Sequence, residues 1–247
     1  MSSIYDKSSL VLIPSGTKVS KVYSQKPVSG DGDFTFTRSS AATRVNADGF
    51  IEKETQNLLL QSNSFDTTWT PVDISVTGGQ SGYDGSNDAW SITPSATSTS
   101  CRITQPVNTS GVQTFSVYAK ANGGNGLALR TDDSSVRAWF DLSNGTTNSI
   151  GPSAISQSIE DIGNDWYRCS MSFSQSVTSI RFYISDSAGD YSCTSGNGVY
   201  LQDAQLEQGL VARDYIETTT TAVEGGITDN VPRLDYTDSS CPALLLE

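Results

Sequence analysis

The sequence predicts an all-β chain: an antiparallel two-sheet jelly-roll sandwich with an extended N-terminal anchoring segment and a short C-terminal extension. Three observations lead there. Serine and threonine make up about a quarter of the 247 residues and charged residues only 17%, the balance of a turn-rich β protein rather than a helical bundle. Between residue 57 and residue 218 short strand-like runs recur, separated by Gly, Asn, Asp and Ser, at the spacing of a sandwich. Within those runs apolar residues alternate with period two, as strands buried on one face require.

The chain divides into three zones. In residues 1–56 short apolar patches are broken by Pro14, Gly16, Pro27, Gly30, Gly32 and Gly49, with strand candidates at Leu10 to Ile13 and Phe34 to Thr37. Neither patch has an evident hairpin partner within the zone. Leu10, Val11, Leu12, Ile13, Phe34 and Phe36 are therefore expected to be buried against another surface, making residues 1–56 an anchoring and oligomerisation segment that works by strand addition and apolar packing.

Residues 57–218 form the sandwich. Phe115, Val117 and Ala119 point to the core, as do Val136, Ala138, Phe140 and Leu142, and Ile180, Phe182 and Ile184. Arg137, Trp139 and Asp141 then point outward, with Arg181 and Tyr183. In DWYRCSMSF, Tyr167, Cys169, Met171 and Phe173 face inward, while Trp166 and Arg168 share the other face and read as stabilising the fold.

Residues 219–247 read as a linker and the start of a further β element, since Pro232 and Pro242 exclude a long helix. There is a weak internal echo. Thr43 to Asn63 and Pro232 to Glu247 both run Arg, apolar, Asn or Asp, then a turn, then three leucines. A leucine triplet fits a strand buried on both sides, so Leu58 to Leu60 are expected to open the sandwich, and Leu244, Leu245 and Leu246 to open or complete another β element at an interface.

Composition narrows the chemistry. With 15 Lys and Arg against 27 Asp and Glu the net charge is −12, and no basic run exists, which argues against nucleic-acid binding; no segment is long and apolar enough for membrane insertion. The absence of His removes the commonest general base and the imidazole zinc sites, and no catalytic residue or cofactor is expected. Adjacent carboxylates such as Asp132 and Asp133, or Glu160 and Asp161, diverge on a strand and make a poor hydrolytic pair. The four Cys lack metal-like spacing, and a soluble chain of this length made in the cytoplasm is expected to keep all of them reduced.

The order of phrases carries a resemblance. SLVLIPSG, YSQKP, GDFTFTRSSAATRVNADGFIE and NLLLQSNSFDTTW resemble the opening of tailed-bacteriophage structural proteins, the head-fibre and tail-fibre proteins. NDAWSIT, FSVYAKA, FDLSNG, DWYRCSMSF and GVYLQDAQLEQGLVARDYIETT are similar to the carbohydrate-binding-module-like jelly rolls appended to such fibres, and PRLDY followed by CPALLLE recurs among them, usually with more chain after it. The resemblance implies a virion structural protein assembled in the host cytoplasm: a head-fibre or decoration subunit, a homo-oligomer such as a trimer, contacting capsid or tail proteins and displaying its jelly roll outward. Alternatives are the glycan-binding receptor module of a tail fibre and an accessory module of a polysaccharide-degrading enzyme.

A glycan platform needs exposed rings for the apolar sugar faces, beside polar groups for the hydroxyls. The outer-face residues Tyr118, Trp139, Asp141, Tyr183 and Tyr200 have that chemistry, with Lys120, Arg181 and Gln202 near them in sequence. Without a strand order the favoured reading is the plainer one, that several of these residues cover a sheet edge, an oligomer interface or the second sheet's core. Asp84 and Asp88 in YDGSND alternate as calcium ligands would, although the distal Glu of an EF-hand loop is missing and a turn at Gly85 explains the pattern as well.

Overall fold

The computed structural model describes residues 4–18, 21–35, 43–45, 51–53, 55–225, 233–235 and 243–245. In chain order the elements are α1 (Ile4–Lys7), β1 (Val11–Lys18), β2 (Lys21–Lys26), β3 (Phe34–Thr35), β4 (Thr43–Val45), β5 (Ile51–Lys53), β6 (Thr55–Asn57), β7 (Thr70–Val72), β8 (Ile74–Gln80), β9 (Ala89–Pro94), β10 (Arg102–Thr109), β11 (Val112–Asn122), β12 (Gly126–Thr131), β13 (Arg137–Asp141), β14 (Thr146–Ile150), β15 (Ala154–Gly163), β16 (Trp166–Ser174), β17 (Val177–Ser185), β18 (Gly198–Gln208), β19 (Val223–Gly225), β20 (Arg233–Asp235) and β21 (Ala243–Leu245). No helix among the described residues is long and apolar enough to cross a membrane. Two compact units result, Met1–Thr55 with Glu224–Glu247, and Gln56–Val223.

In the first unit β2 pairs antiparallel with both β1 and β3. The apolar run at Leu10 to Ile13 therefore does have a hairpin partner within the first 56 residues, which corrects the expectation that it has none. Lys21–Lys26 carries no apolar alternation in the sequence, being polar apart from the adjacent Val22 and Tyr23, and it contains a single buried residue, Val22. Asp33 fixes the turn after β2: it accepts hydrogen bonds from Ser24 N and Oγ and pairs with Lys21 Nζ at 3.1 Å. Those donors, the Ser24 amide first, hold its carboxyl below the usual range. Leu10 and Phe34 remain about half exposed. Both copies of the sequence echo form antiparallel hairpins, β4 with β5 and β20 with β21, Arg233 standing opposite Leu245. Phe36 and Leu246 lie outside the described residues.

The second unit is an antiparallel two-sheet jelly-roll sandwich. One sheet has the order β14-β13-β12-β17-β10-β7, the other β15-β16-β11-β18-β9-β8. Their facing sides bury the expected core: Phe115, Phe140, Phe173, Phe182, Leu129 and Met171 are fully enclosed, and the Phe115 and Phe182 rings lie 4.8 Å apart. One end is plugged by Phe65 and Trp69, the latter stacked 5.3 Å from Phe182.

Two sequence expectations are corrected here. Leu58 to Leu60 do not form a strand, because β6 stops at Asn57, whose Oδ1 accepts the Leu59 amide and turns the chain. The backbone of Leu60 is then satisfied by an amide side chain: Leu60 N donates to Gln105 Oε1 at 2.9 Å and Gln105 Nε2 donates back to Leu60 O at 2.7 Å. Nor are all the thiols free, since Cys101 and Cys193 form a disulfide. Cys101 enters β10 facing the core, and a two-way backbone bridge between Ser98 and Cys193 brings the loop after β17 within bonding reach of it. The bridging residues are 92 apart in sequence, which no local pattern reveals. Cys169 is a buried free thiol, its pKa raised by burial, as the alternation of β16 requires. Cys241 lies outside the described residues.

Candidate functional site

The outer face of the sheet built on β11 and β16 carries a regular polar surface. Its cross-strand rows run Ser156, Ser172, Thr114, Glu207; then Ser158, Ser170, Ser116, Gln205; then Glu160, Arg168, Tyr118, Gln202. Strict alternation in β18 would have put Ala204 and Leu206 on this face. A bulge prevents that: Asp203 sits at φ 56, the register slips opposite Val117, and Gln205 and Glu207 come outward while Ala204 and Leu206 enter the core. The amides freed by the bulge are met by the segment after β6, Asp203 N donating to Asn63 Oδ1 and Ala204 N to Ser62 O.

After β18 the chain folds back over this face as a strap, residues 209–216. Ser172 Oγ donates to Leu210 O, and Thr114 Oγ1 to Gly209 O. Gln205 Nε2 donates to the carbonyls of Arg213 and Asp214, and Glu207 Oε1 accepts from Arg213 N at 2.9 Å. Burial under the strap raises the Glu207 carboxyl, and the Arg213 amide only partly offsets it.

Between the strap and the β15 edge lies a cavity of about 280 Å³ lined by Ser156, Ser158, Glu160, Arg168, Ser170 and Ser172, with Leu210, Val211 and Ala212 as its apolar wall. Arg168 is the cationic group of its lining. It donates to Arg213 O, lies 5.3 Å over the Tyr118 ring, and its buried Nε–H meets no protein acceptor. Serine hydroxyls both donate and accept, guanidinium only donates and carboxylate only accepts, so the lining can answer every polarity that a polyhydroxylated ligand presents. Leu210 and Val211, largely exposed, offer an apolar surface for the C–H face of a ring.

Beside the cavity the Tyr83 and Tyr118 rings stack at 3.9 Å, nearly parallel, and Trp166 meets Tyr83 edge-on. Tyr83 Oη donates to Asp203 Oδ2 at 2.9 Å. Burial, with Asp84 and Asp88 adding like charge, pushes the Asp203 carboxyl up to about 7. Because the folded state holds this proton more tightly than the unfolded chain, stability is expected to rise as pH falls from 8 to 5, by roughly 2 kcal/mol. Asp84, Asp132, Asp133, Asp141 and Asp186 are all shifted the other way and lose stability only below their unfolded values near pH 4. Urea unfolding at stepped pH checks this. Asp203→Asn keeps a residue that tolerates positive φ and should flatten the slope; an unchanged slope would assign it to another group.

No protein-family model and no curated protein matches the sequence. Solved structures of similar shape include the carbohydrate-binding module TmCBM61 in complex with β-1,4-galactotriose, 12% identical over 63% of this chain and all of that one, with a TM-score of 0.38. The CBM22-1 and GH10 modules of a Clostridium thermocellum xylanase complexed with xylohexaose match at 13% identity and TM-score 0.35, over 63% of this chain and 28% of that one. The enzymatically active domain of tailspike protein 4 of bacteriophage CBA120 matches at 15% and 0.35, over 61% and 21%.

The residues expected to bind glycan separate onto two sheets. Tyr118 and Tyr200 lie on the face just described, Tyr200 one row beyond, opposite Lys120 and Ser91. Trp139, Asp141 and Tyr183 lie on the other sheet, where Trp139 is covered by Tyr191. Asp141 caps its own turn through Ser143 and Asn144. Asp84 and Asp88 are joined through donors, Gln202 Nε2 reaching both, and among the described residues no group of three or more acidic or Cys side chains is placed to hold a metal. Asp132 accepts from Thr178 while Asp133 accepts from Ser135 and Gln175, so the two carboxylates diverge. The serine rows and the strap had no signal in the aromatic pattern. Ser170 and Ser172 alternating within DWYRCSMSF was the one hint that this face is smooth and polar.

Proposed function

We propose that the chain is a glycan-binding display module, carried as a head-fibre or decoration subunit on a tailed-bacteriophage particle. The binding reading rests on one observation: a hydroxyl-floored cavity on an open sheet face, with Arg168 and Glu160 at its head and an apolar wall at Leu210 to Ala212. A small polar cavity with opposed donor and acceptor suits one or two sugar residues of a neutral chain end better than a long polymer. The particle setting rests on the ordered sequence resemblance. Anchoring through residues 1–56, in a homotrimer, rests on the apolar surface left at Leu10 and Phe34.

A glycan array followed by calorimetry tests the binding. Ser170→Leu fills the cavity floor without touching the core, and Glu160→Gln removes the carboxylate charge at an exposed edge. Each is expected to weaken the best neutral glycan at least tenfold while the melting temperature holds. Unchanged affinity in both variants would move the site off this face, and quantitative mass spectrometry of purified particles should find the chain at stoichiometric copy number.

A further inference from the structure

The opposite sheet carries a different chemistry. Its outer face places Arg137 of β13, Arg130 of β12 and Arg181 of β17 directly across from one another in a single row. The next row runs Trp139, Ala128, Tyr183, Arg102. Adjacent strands are about 4.8 Å apart, so three guanidinium-bearing positions lie within about 10 Å. Like charges directly opposite on a sheet repel, and a chain with 27 acidic residues has ample means to neutralise them.

It does not do so. No ion pair among the described residues joins any of these four arginines to a carboxylate. Arg137 and Arg102 donate to the Ser134 and Ser100 carbonyls, and Arg181 to Ser179 Oγ. Arg130 reaches only the Tyr183 and Tyr191 hydroxyls at 3.4 and 3.5 Å, beyond good hydrogen-bond length. The Nε–H groups of Arg130 and Arg181 are buried from solvent with no acceptor. Asp133, which feels the Arg130 charge, has its oxygens taken by Ser135 and Gln175.

Aromatic rings hold Arg130 of this row and Arg102 of the next in place. The guanidinium groups of Arg102 and Arg130 both lie over the Tyr183 ring, at 5.7 and 5.2 Å, and Tyr191 packs edge-on against Tyr183 and Trp139. Stacking fixes the Arg102 and Arg130 forks at small entropic cost; the Nε–H groups of Arg130 and Arg181 are buried, so the terminal guanidinium nitrogens are the ones an anion can meet. The cluster is thus an ordered set of guanidinium groups with neutral oxygen partners and, among the described residues, no carboxylate partner.

We propose that this face binds an acidic polysaccharide through the carboxylate or sulfate groups of neighbouring sugar residues, with Arg130 and Arg181 as the principal anion contacts and Arg137 and Arg102 flanking them. The short row and the overall charge of −12 favour a polymer of moderate charge density over nucleic acid, whose continuous phosphates demand a longer basic track and would be repelled elsewhere on the surface. This site stands apart from the neutral-glycan cavity, being on the other sheet.

The test is affinity electrophoresis of the full chain through gels holding polygalacturonate, a lightly sulfated dextran, neutral dextran or DNA. Retardation by polygalacturonate or the lightly sulfated dextran is expected, and which of them acts assigns carboxylate or sulfate. The retardation should weaken steeply with added salt, and Arg130→Gln with Arg181→Gln should reduce it at least tenfold. Glu160→Gln on the opposite face should leave it unchanged, so failure here and failure of the cavity reading are separable. If the double variant misfolds, Arg137→Gln and Arg102→Gln, each outside the central pair, should give smaller losses of the same kind. Retardation by dextran alone, stronger retardation by DNA, no retardation at all, or a salt-insensitive effect would each overturn the proposal.

Discussion

Replacing Asn57 by alanine is expected to destabilise the sandwich by about 3–5 kcal/mol, a larger loss than any single change on either outer face. The Asn57 side chain is fully buried and spends its whole amide. Nδ2 donates to Ala204 O at 3.0 Å and to Ile216 O at 2.8 Å, and Oδ1 accepts from the amides of Leu59 and Leu206, each at 3.2 Å. One residue thereby ties the segment opening the sandwich to the β18 bulge and to the end of the strap. Truncation would leave four backbone groups without partners where water cannot reach them easily, at roughly 1–3 kcal/mol for each that finds no substitute. Asn57→Asp keeps the shape but loses the two donors, and should cost nearly as much. Urea unfolding read by Trp fluorescence measures both; a loss below about 1 kcal/mol for alanine would mean that water replaces the amide.

The balance between ladder and side-chain hydrogen bonds also decides which parts of the fold are legible in the sequence. Strand faces in β11, β13, β16 and β17 follow from period two, because each strand has one wholly buried side: Phe115, Phe140, Phe173 and Phe182 could face nowhere else. Alternation fails where a polar side chain takes over the work of a ladder. Asn57 ends a strand that the leucine triplet promised to continue, and Gln105 supplies Leu60 with both of its backbone partners. In β18 the positive φ of Asp203 re-phases the strand, so Gln202 and Gln205 share a face despite being an odd number of residues apart.

The outer faces were half legible for a related reason. Period two places Trp139, Tyr183 and Tyr118 outside the core, yet it carries no information on which sheet a strand joins. Only the strand order shows that Tyr118 belongs with Arg168 and the serine rows, and Tyr183 with Arg102 and Arg130. Arg130 and Arg181 are 51 residues apart and become neighbours solely through the pairing of β12 with β17. Local pattern names such residues without grouping them, and it is the grouping that decides the chemistry.

Opening the Cys101–Cys193 disulfide is expected to have the other large effect. The bridge closes a loop spanning 92 residues that contains five of the six strands of one sheet and three of the six of the other. On the chain-entropy account, a loop of that length restricts the unfolded ensemble by about 4.6 kcal/mol, so Cys101→Ala with Cys193→Ala should lower the unfolding free energy by roughly 3–5 kcal/mol. Both sulfur positions are buried, and alanine adds a small packing loss in the same direction. The local backbone should survive, because Ser98 and Cys193 are bridged in both directions by their own amides, at 3.0 and 2.9 Å. The change should therefore appear as a drop in the denaturant midpoint with the sheets intact at low denaturant. Alkylation of unreduced, denatured protein should label Cys169 and leave Cys101 and Cys193 untouched. Labelling of all three in material taken directly from its native setting would mean that the reduced form is the working one, and the double variant would then match wild type in stability.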